Sequence, residues 1–391
     1  MTLQFFPQEF GMPLATSSVT RGARLAFAVA VLFSLAACSD SRDRVSTDTS
    51  PVRMNEVQYL GTHNSYHLRL RDDLFALLAN FDAELALTLD YEHVPLQEQF
   101  GAQGIRQIEL DVFHDPEGGL YANHNALTLI GEDVASGIPE LDEPGLKVLH
   151  VQEVDYETTC YTFKSCLMEV KQWSDANPGH LPITVLVEAK DAVIEDPGIG
   201  FVIPLPFDAA ALDGIDEEIR AIFPEDRLIT PDFVRGDAQS LEAVILNEGW
   251  PLLEAVRGRI MLALDNGGAI RDLYTEGHPA LAGRVMFTDS APGTPEAAFA
   301  KRNDPSDFEA IQALVAQGYI VRTRADADTV QARTGDTTRR EEALESGAQL
   351  VSTDYPVPDP RFTDYQVSIP GGFIARCNPV NATTECASED L

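Results

Sequence analysis

Short apolar or β-branched segments alternate with longer segments of helical periodicity from about residue 55 onward. Eight segments have the composition of buried strands: Val57–Gly61, Arg106–Phe113, Lys147–Gln152, Ile183–Ala189, Arg259–Asp265, Val285–Asp289, Tyr319–Arg324 and Gln349–Asp354. Helical patterns lie between several of them: Leu68–Asn80, Phe163–Asn177, Ala209–Ile222, Asp307–Gln317 and Thr337–Ser346. Continuous apolar strands separated by helices predict a parallel sheet that is covered on both faces. Eight such strands match an α/β fold of the closed (β/α)₈ (TIM) barrel type better than an open sheet, and no glycine-rich nucleotide loop follows the first strand.

The first 38 residues contain a processing signal. Two arginines, Arg21 and Arg24, precede the apolar run Leu25–Ala37, which is too short to span a membrane as a helix. The run ends in Leu-Ala-Ala-Cys, which resembles the bacterial lipobox and implies cleavage before Cys38 and lipidation of its thiol. An uncleaved anchor or an unmodified Cys38 is the alternative. We predict three segments: a lipoprotein signal peptide at 1–37, a flexible tether at 38–54 and one catalytic barrel domain at 55–391.

The other four cysteines agree with export. Cys160 and Cys166 are six residues apart, and Cys377 and Cys386 are nine apart. Four cysteines allow three pairings, of which two local loops are the simplest. Because no Cys/His spacing suggests a zinc site, we predict structural disulfides. Together with the lipobox, they predict a lipoprotein held at the outer membrane or on the periplasmic or extracellular face of a bacterial membrane.

The charge of the chain restricts its partners. Among 391 residues, 28 are basic and 62 acidic, which gives a formal net charge of −34. This charge argues against nucleic acid, since binding to phosphates needs a basic stripe, and it disfavours electrostatic adhesion to anionic lipid. The lipid anchor and the apolar segment Phe201–Phe207 are therefore the more credible contacts with a membrane surface. That segment follows the fourth predicted strand, where packing over the barrel mouth is the alternative.

Polar side chains stand at the ends of the predicted strands, where active sites of such barrels are built. Glu109 and Asp111 alternate along the second strand and so share a face, while Asn64 follows the first strand and Glu188 ends the fourth. One amide and three carboxylates form an all-oxygen set that suits a hard divalent cation, Ca²⁺ or, second, Mg²⁺. The alternative is a structural carboxylate pair bridged to one of three basic residues: Arg106, Lys147 or Lys190. Other strand ends carry further polar residues: Gln152, Glu153, Asp265, Asn266, Arg322, Arg324 and Asp354.

Two histidines form a candidate acid–base pair. His63 adjoins Asn64, and His124 lies 13 residues beyond Asp111, after a Pro-Glu-Gly-Gly turn that would return the chain to the barrel mouth. A reaction such as phosphodiester cleavage needs a base and an acid, and two imidazoles can serve as both. The other histidines are interpreted as structural: His67, His93, His114, His150, His180 and His278.

Four fragments in register resemble the calcium-dependent, phosphoinositide-specific phospholipase C family of bacteria and fungi: Gly61–His67, Ile108–Val112, Asn123-His124 and Val187–Lys190. The resemblance runs from about Asn55 to Cys386, and it includes Val321–Asp328 and Ser346–Pro356.

The resemblance implies specific roles for these residues. His63 would be the general base for the inositol 2-hydroxyl, which attacks phosphorus, and His124 would protonate the departing diacylglycerol oxygen. Ca²⁺ would stabilise the developing charge, held by Asn64, Glu109, Asp111 and Glu188. Candidate substrate contacts are Lys190, Arg322 and Arg324, although pairing of Lys190 with Asp191 or Glu188 is an equal alternative. The products would be diacylglycerol and an inositol phosphate that is at least transiently cyclic.

Two other functions stay open. A glycerophosphodiester phosphodiesterase, a related barrel with a Glu-x-Asp pair and two histidines, would suit Ile108–Val112 and Thr353–Pro356 equally well. That family, however, looks like His-Arg-Gly followed by Glu-Asn-Thr at the start of its barrel, whereas this chain has Thr-His-Asn-Ser-Tyr at Thr62–Tyr66. A non-catalytic, lipid-binding surface lipoprotein is the second alternative, since a fold alone does not establish activity. Loss of either imidazole would favour it, and both are present.

Overall fold

A computed structural model describes residues 52–391 of the chain. The predicted signal peptide, Cys38 and most of the predicted tether lie outside the described residues. Eight parallel strands form the barrel: β1 (Val57–Thr62), β2 (Gln107–Phe113), β4 (Ile183–Ala189), β6 (Ile260–Leu264), β7 (Phe287–Thr288), β8 (Phe299–Lys301), β9 (Ile320–Arg324) and β10 (Leu350–Thr353). Three short strands flank them: β3 (Lys147–Val148), β5 (Leu228–Ile229) and β11 (Ala375–Cys377).

The sheet curls until its last long strand meets its first. β10 pairs with β1 in parallel register from Tyr59 opposite Leu350 to Thr62 opposite Thr353. On the far side, a single parallel bridge between Asp289 and Phe299 joins the end of β7 to β8. The predicted closed barrel is therefore confirmed, and the carboxyl ends of its strands meet at one mouth.

One predicted strand is wrong and one strand was not predicted. The segment Lys147–Gln152 contributes only β3, which pairs antiparallel with the end of β2 and is not a barrel strand. After it the backbone turns, and the amides of Val151 and Asp155 each donate to the other residue's carbonyl at 3.0 Å. The eighth barrel strand is instead β8, whose three residues are too few to show a periodicity.

Helices cover the outside of the barrel: α1 (Asp72–Phe81), α2 (Ala83–Thr88), α3 (Leu96–Gly101), α4 (Phe163–Ala176), α5 (Ala209–Ile222), α6 (Pro231–Arg235), α7 (Leu241–Asn247), α8 (Leu253–Val256), α9 (Gly268–Thr275), α10 (Phe308–Gln317), α11 (Val330–Thr334) and α12 (Thr338–Glu345). All five predicted helical segments are confirmed, as α1, α4, α5, α10 and α12. Side-chain caps fix the first turns of α4 and α5. The Thr162 side chain accepts a hydrogen bond from Ser165 N at 3.1 Å, and the Asp208 side chain accepts one from Ala211 N at 2.9 Å. Helix α1 begins four residues later than predicted, where Asp72 and Asp73 place negative charge in its first turn. Among the described helices, none has the length and apolar character of a membrane span.

Two disulfides close short loops outside the barrel. Cys160 is bonded to Cys166 in the first turn of α4, and Cys377 at the end of β11 is bonded to Cys386. The two local pairings are therefore confirmed. Disulfides are typical of proteins that leave the cytoplasm, so they agree with export.

Candidate active site

Three predicted carboxylates converge at the barrel mouth. Glu109 and Asp111 lie two residues apart on β2, and Asp111 stands directly beside Glu188 of β4 in the strand register. Each residue offers a carboxylate oxygen within 4.8 Å of those of the other two. Glu109 and Asp111 are buried and Glu188 is partly so, which places three acidic groups in a region of low dielectric.

Burial and mutual repulsion disfavour the ionised form of this cluster. Burial raises the pKa of Glu109 to about 8; the positive charge of Arg322 opposes the increase, and the negative charges of Asp265 and Asp111 add to it. Burial likewise raises the pKa of Glu188 to about 7, against the opposing charge of Lys190. Such a cluster is stabilised in its ionised form when a cation lies among the carboxylates.

Basic side chains neutralise part of the cluster. Arg322 Nη2 lies 2.6 Å from Glu109 Oε2, and Lys190 Nζ lies 3.2 Å from Asp111 Oδ2 and 3.7 Å from Glu188 Oε2. Although burial opposes it, the charges of Glu188 and Asp111 hold the pKa of Lys190 above its usual value. Lys190 therefore forms the ion pair with the carboxylates that the sequence left open as an alternative to a substrate contact.

The other two proposed basic partners lie elsewhere. Lys147 Nζ pairs with Asp115 Oδ2 at 3.0 Å, and the guanidinium of Arg106 lies over the ring of Trp173 at 4.9 Å. Neither residue neutralises the carboxylates at the barrel mouth.

The remaining oxygens fit a hard cation. Asp111 Oδ1 is buried without a hydrogen-bond partner among residues 52–391, so this atom lacks the compensation that buried polar atoms need. Ser65 exchanges hydrogen bonds with the backbone of Glu109 at 2.8 and 2.9 Å, which brings its neighbour Asn64 to the same strand end. Asn64 Nδ2 donates to Tyr91 Oη at 3.0 Å, which leaves its carbonyl oxygen available to a cation. An amide and three carboxylates agree with Ca²⁺ or Mg²⁺.

His63 lies at the end of β1 and is held by the end of β10. Its Nδ1 is 2.9 Å from Asp354 Oδ1, and Asp354 Oδ2 in turn pairs with Arg324 Nη2 at 3.2 Å. Burial lowers the pKa of His63 to about 3; the charge of Arg324 contributes to the decrease and Asp354 opposes it. Although Asp354 is itself buried, His63 and Arg324 hold its own pKa below the usual value. The side chain of His63 is 18% exposed and faces a cavity of about 280 Å³ that Tyr91 also lines.

His124 occupies a different environment. The residue is 1% exposed, and its ring stacks on Tyr156 with ring centroids 3.6 Å apart and an interplanar angle of 9°. Neither ring nitrogen has a hydrogen-bond partner in the described part of the chain, and burial lowers the pKa of this residue to about 4. No hydrogen bond or ion pair between described residues joins it to His63, so the two imidazoles do not form a direct pair.

Three residues of this region escaped the sequence interpretation of the site. In the sequence Asp354 is only one of several polar residues at strand ends, yet it pairs with His63 because β10 adjoins β1 in the closed barrel. Lys301, which pairs with Asp265 at 2.6 Å, lies on the unpredicted strand β8. Tyr156 carried no sequence signal, because its role depends on a turn that follows β3.

Comparison with known proteins gives the family and the fold. A model of the family "Phosphoinositide phospholipase C, Ca2+-dependent" matches residues 52–379. A calcium-dependent phosphoinositol-specific phospholipase C from the Gram-negative bacterium Pseudomonas sp., in its myoinositol complex, is 16% identical with a TM-score of 0.50, over 87% of this chain and 100% of that chain. This structure supports the barrel fold.

Two further solved structures are less similar. One apo crystal form of the Pseudomonas sp. protein is 17% identical with a TM-score of 0.49, over 86% of this chain and 97% of that one. A Ca²⁺-dependent phosphatidylinositol-specific phospholipase C from Streptomyces antibioticus is 16% identical with a TM-score of 0.47, over 78% and 95%. No curated protein matches the chain in sequence. Because the family match spans most of its length, the chain belongs to the Ca²⁺-dependent phosphoinositide phospholipase C family of phosphodiester hydrolases.

Proposed function

We propose that this protein cleaves phosphatidylinositol to diacylglycerol and an inositol phosphate that is at least transiently cyclic, in a reaction that depends on Ca²⁺. The observation that carries the proposal is the buried cluster of Glu109, Asp111 and Glu188 in the barrel that also holds the His63–Asp354 pair. These three carboxylates and Asn64 would hold the Ca²⁺ of the family. When bound, Ca²⁺ supplies Lewis-acid stabilisation of the attacking hydroxyl and of the charge on the phosphate.

His63 is suited to the role of general base. With Nδ1–H donated to Asp354, the imidazole is fixed in the tautomer whose Nε2 carries a free lone pair. Its lowered pKa keeps it neutral at pH 7, so it can accept the proton of the inositol 2-hydroxyl. The negative charge of Asp354 then stabilises the imidazolium that forms.

His124 would donate a proton to the departing diacylglycerol oxygen. Both of its ring nitrogens are unpartnered in the described residues, so no protein acceptor competes for its proton. A general acid must carry that proton, and the negative charge of a bound phosphodiester raises the pKa of a neighbouring imidazole. Stacking on Tyr156 also favours the cationic ring.

Three basic side chains are candidates for contact with the substrate. Arg322 and Arg324 are paired with Glu109 and Asp354, and Lys190 with Asp111 and Glu188. Arg322 and Lys190 would share their carboxylates with a bound cation and so keep positive charge for the phosphate, whereas Asp354 holds Arg324 beside His63. We therefore retain all three basic residues as substrate contacts.

The Asp354→Asn variant tests the orientation of His63. Asparagine has nearly the same shape but can present an N–H to the imidazole, which favours the wrong tautomer and removes the compensating charge. We expect kcat to fall on the order of 10²- to 10³-fold with little change in KM. Steady-state kinetics measure this split, with Asp359→Asn, which changes a carboxylate bound to Arg361, as the matched control. Unchanged kcat in Asp354→Asn would show that this pair does not act in the reaction.

A substrate comparison separates this proposal from the glycerophosphodiester phosphodiesterase alternative. We expect the purified protein to hydrolyse phosphatidylinositol in Ca²⁺, because Thr62–Tyr66 reads Thr-His-Asn-Ser-Tyr at the start of the barrel, where the alternative family has His-Arg-Gly. Glycerophosphoinositol should be the poorer substrate. Rapid cleavage of glycerophosphoinositol without action on phosphatidylinositol would establish the alternative instead. Family membership already favours an enzyme over a non-catalytic lipid-binding lipoprotein.

Access to the lipid is part of the proposal. We propose that residues 1–37 are a lipoprotein signal peptide, that Cys38 carries the lipid anchor and begins a tether that runs to residue 54, and that residues 55–391 are the catalytic domain. In the segment Phe201–Phe207, Ile203 is 67% exposed and Leu205 39%, whereas Phe207 is buried. Exposed aliphatic side chains on the rim support a contact with the membrane surface.

A further inference from the structure

Glu153 is a buried acidic residue in an unfavourable backbone conformation. It is 0% exposed, and its φ of 85° lies in the left-handed region that side chains other than glycine rarely adopt. Such a conformation is energetically unfavourable and persists where the surrounding structure fixes it, often at functional sites. None of the ion pairs among residues 52–391 includes Glu153, and burial raises its pKa. The carboxylate therefore depends on hydrogen bonds for compensation.

The carboxylate joins two segments that are distant in sequence. Oε2 accepts a hydrogen bond from Ala126 N at 3.2 Å, and Oε1 accepts one from Val202 N at 2.7 Å. Ala126 is two residues beyond His124, and Val202 belongs to the apolar loop Phe201–Phe207. A second link runs parallel to it, since Asn125 Nδ2 donates to the Gly200 carbonyl.

The turn that carries Glu153 also carries the ring that packs on His124. Tyr156 follows three residues later and stacks on the imidazole at 3.6 Å. Between them Asp155 is clamped by two histidines, with His67 Nε2 at 2.9 Å and His150 Nδ1 at 2.7 Å. The turn is therefore anchored by Asp155 through His67, which follows β1, and the Glu153 carboxylate extends from it to the two segments that hold Ala126 and Val202.

The apolar loop itself is organised at its start. Asp196 accepts hydrogen bonds from the amides of Gly198, Ile199 and Gly200 at 2.8–3.1 Å. Beyond this turn the Val202 amide donates its hydrogen bond to Glu153. The next side chains, Ile203 and Leu205, are exposed to solvent. A displacement of the exposed part would reach Glu153 through the Val202 amide.

We propose that Glu153 is a positioning residue. Its carboxylate holds the segment that carries His124 in place and couples that segment to the apolar loop Phe201–Phe207. The inference rests on the proposed function, in which His124 protonates the leaving oxygen and the loop contacts lipid. A lipid surface that restrains the loop also restrains Val202, so the carboxylate stays aligned on Ala126 and the imidazole stays in place. The kcat on a lipid surface is therefore higher than the kcat on a monomeric short-chain phosphatidylinositol. This increase depends on the hydrogen bonds of Glu153.

The Glu153→Gln variant tests the proposal, because glutamine keeps the size but replaces one acceptor oxygen by an amide group that faces an N–H. We expect kcat to fall by on the order of 10- to 100-fold, since small displacements of a catalytic group have effects of this size. KM for the monomeric substrate should be unchanged, and the ratio of kcat on phosphatidylinositol vesicles to kcat on the monomer should fall toward one. Amide exchange at Ala126 and Val202 should accelerate. Glu195→Gln removes an exposed charge from the neighbouring segment and serves as the matched control.

The outcomes separate this inference from the proposed function. If the parent protein does not cleave phosphatidylinositol in Ca²⁺, the proposed function is wrong. If the parent is active and Glu153→Gln keeps both its kcat and its vesicle-to-monomer ratio, the coupling is wrong while the function stands. Glu153→Asp, which keeps the charge but is too short to reach both amides, gives the same test if the glutamine variant does not fold. An equal loss of kcat in Glu195→Gln would also overturn the inference.

Discussion

Replacing His63 with alanine is expected to lower kcat for phosphatidylinositol by on the order of 10³- to 10⁴-fold while KM changes little. The residue is the only imidazole of the described chain that pairs with Asp354, and it lines a cavity together with Tyr91, Arg324 and Asp354. Without it the inositol 2-hydroxyl has no neutral base at the barrel mouth. Steady-state kinetics on phosphatidylinositol vesicles in Ca²⁺ give the measurement.

The control for His63→Ala is a histidine of similar chemistry at a distance from the site. His278 bonds through Nδ1 to the Ala282 carbonyl at 2.8 Å in a turn after α9, so His278→Ala should retain the parent kcat. Thermal unfolding of both variants shows whether the fold is kept. A His63→Ala enzyme within about tenfold of the parent would remove this residue from the role of base.

The second large effect is expected from Asp111→Asn. Asp111 belongs to the cluster with Glu109 and Glu188, and its Oδ1 is buried without a hydrogen-bond partner in the described residues. Asparagine removes one negative charge from the ligand set, and charge count is a main determinant of Ca²⁺ affinity. We expect the Kd for Ca²⁺ to rise on the order of 10²-fold and activity at low Ca²⁺ to be lost.

Calorimetric titration of Ca²⁺ measures this change without reference to turnover. Asp226→Asn alters an exposed aspartate before β5 and should bind Ca²⁺ as the parent does. Chelation by EDTA should abolish the activity of the parent protein, and added Ca²⁺ should restore it. Equal Ca²⁺ affinity in Asp111→Asn and the parent would place the cation elsewhere.

Local sequence patterns determined the parts of the fold that could be predicted. Helices α4 and α5 combine a strong apolar periodicity with capping residues, so their bounds were predicted within one residue. Strand β8 has no sequence signal because three residues carry no periodicity. The segment Lys147–Gln152 has the apolar composition of a strand, but after the two residues of β3 it forms a turn. Both errors arise where tertiary contacts outweigh local pattern.

The residues of the candidate site likewise fall into those that local sequence rules predict and those that depend on tertiary contacts. Glu109 and Asp111 were predicted to share a face because strand alternation is a local rule, and Glu188 joined them once parallel strands were assumed. The partnership of His63 with Asp354 spans 291 residues and that of Arg322 with Glu109 spans 213, so each depends on how the barrel closes. The role of Glu153 is less visible still, because it arises from a strained turn and two backbone amides.

Product analysis by ³¹P NMR tests the central claim most directly. The purified protein is incubated with phosphatidylinositol in Ca²⁺ and, in parallel, in EDTA, and the phosphorus-containing products are identified. The account predicts that phosphorus leaves the lipid on inositol, as a cyclic or ring-opened phosphate with diacylglycerol as co-product, in Ca²⁺ alone. Release of phosphatidic acid, or equal turnover in EDTA, would contradict it.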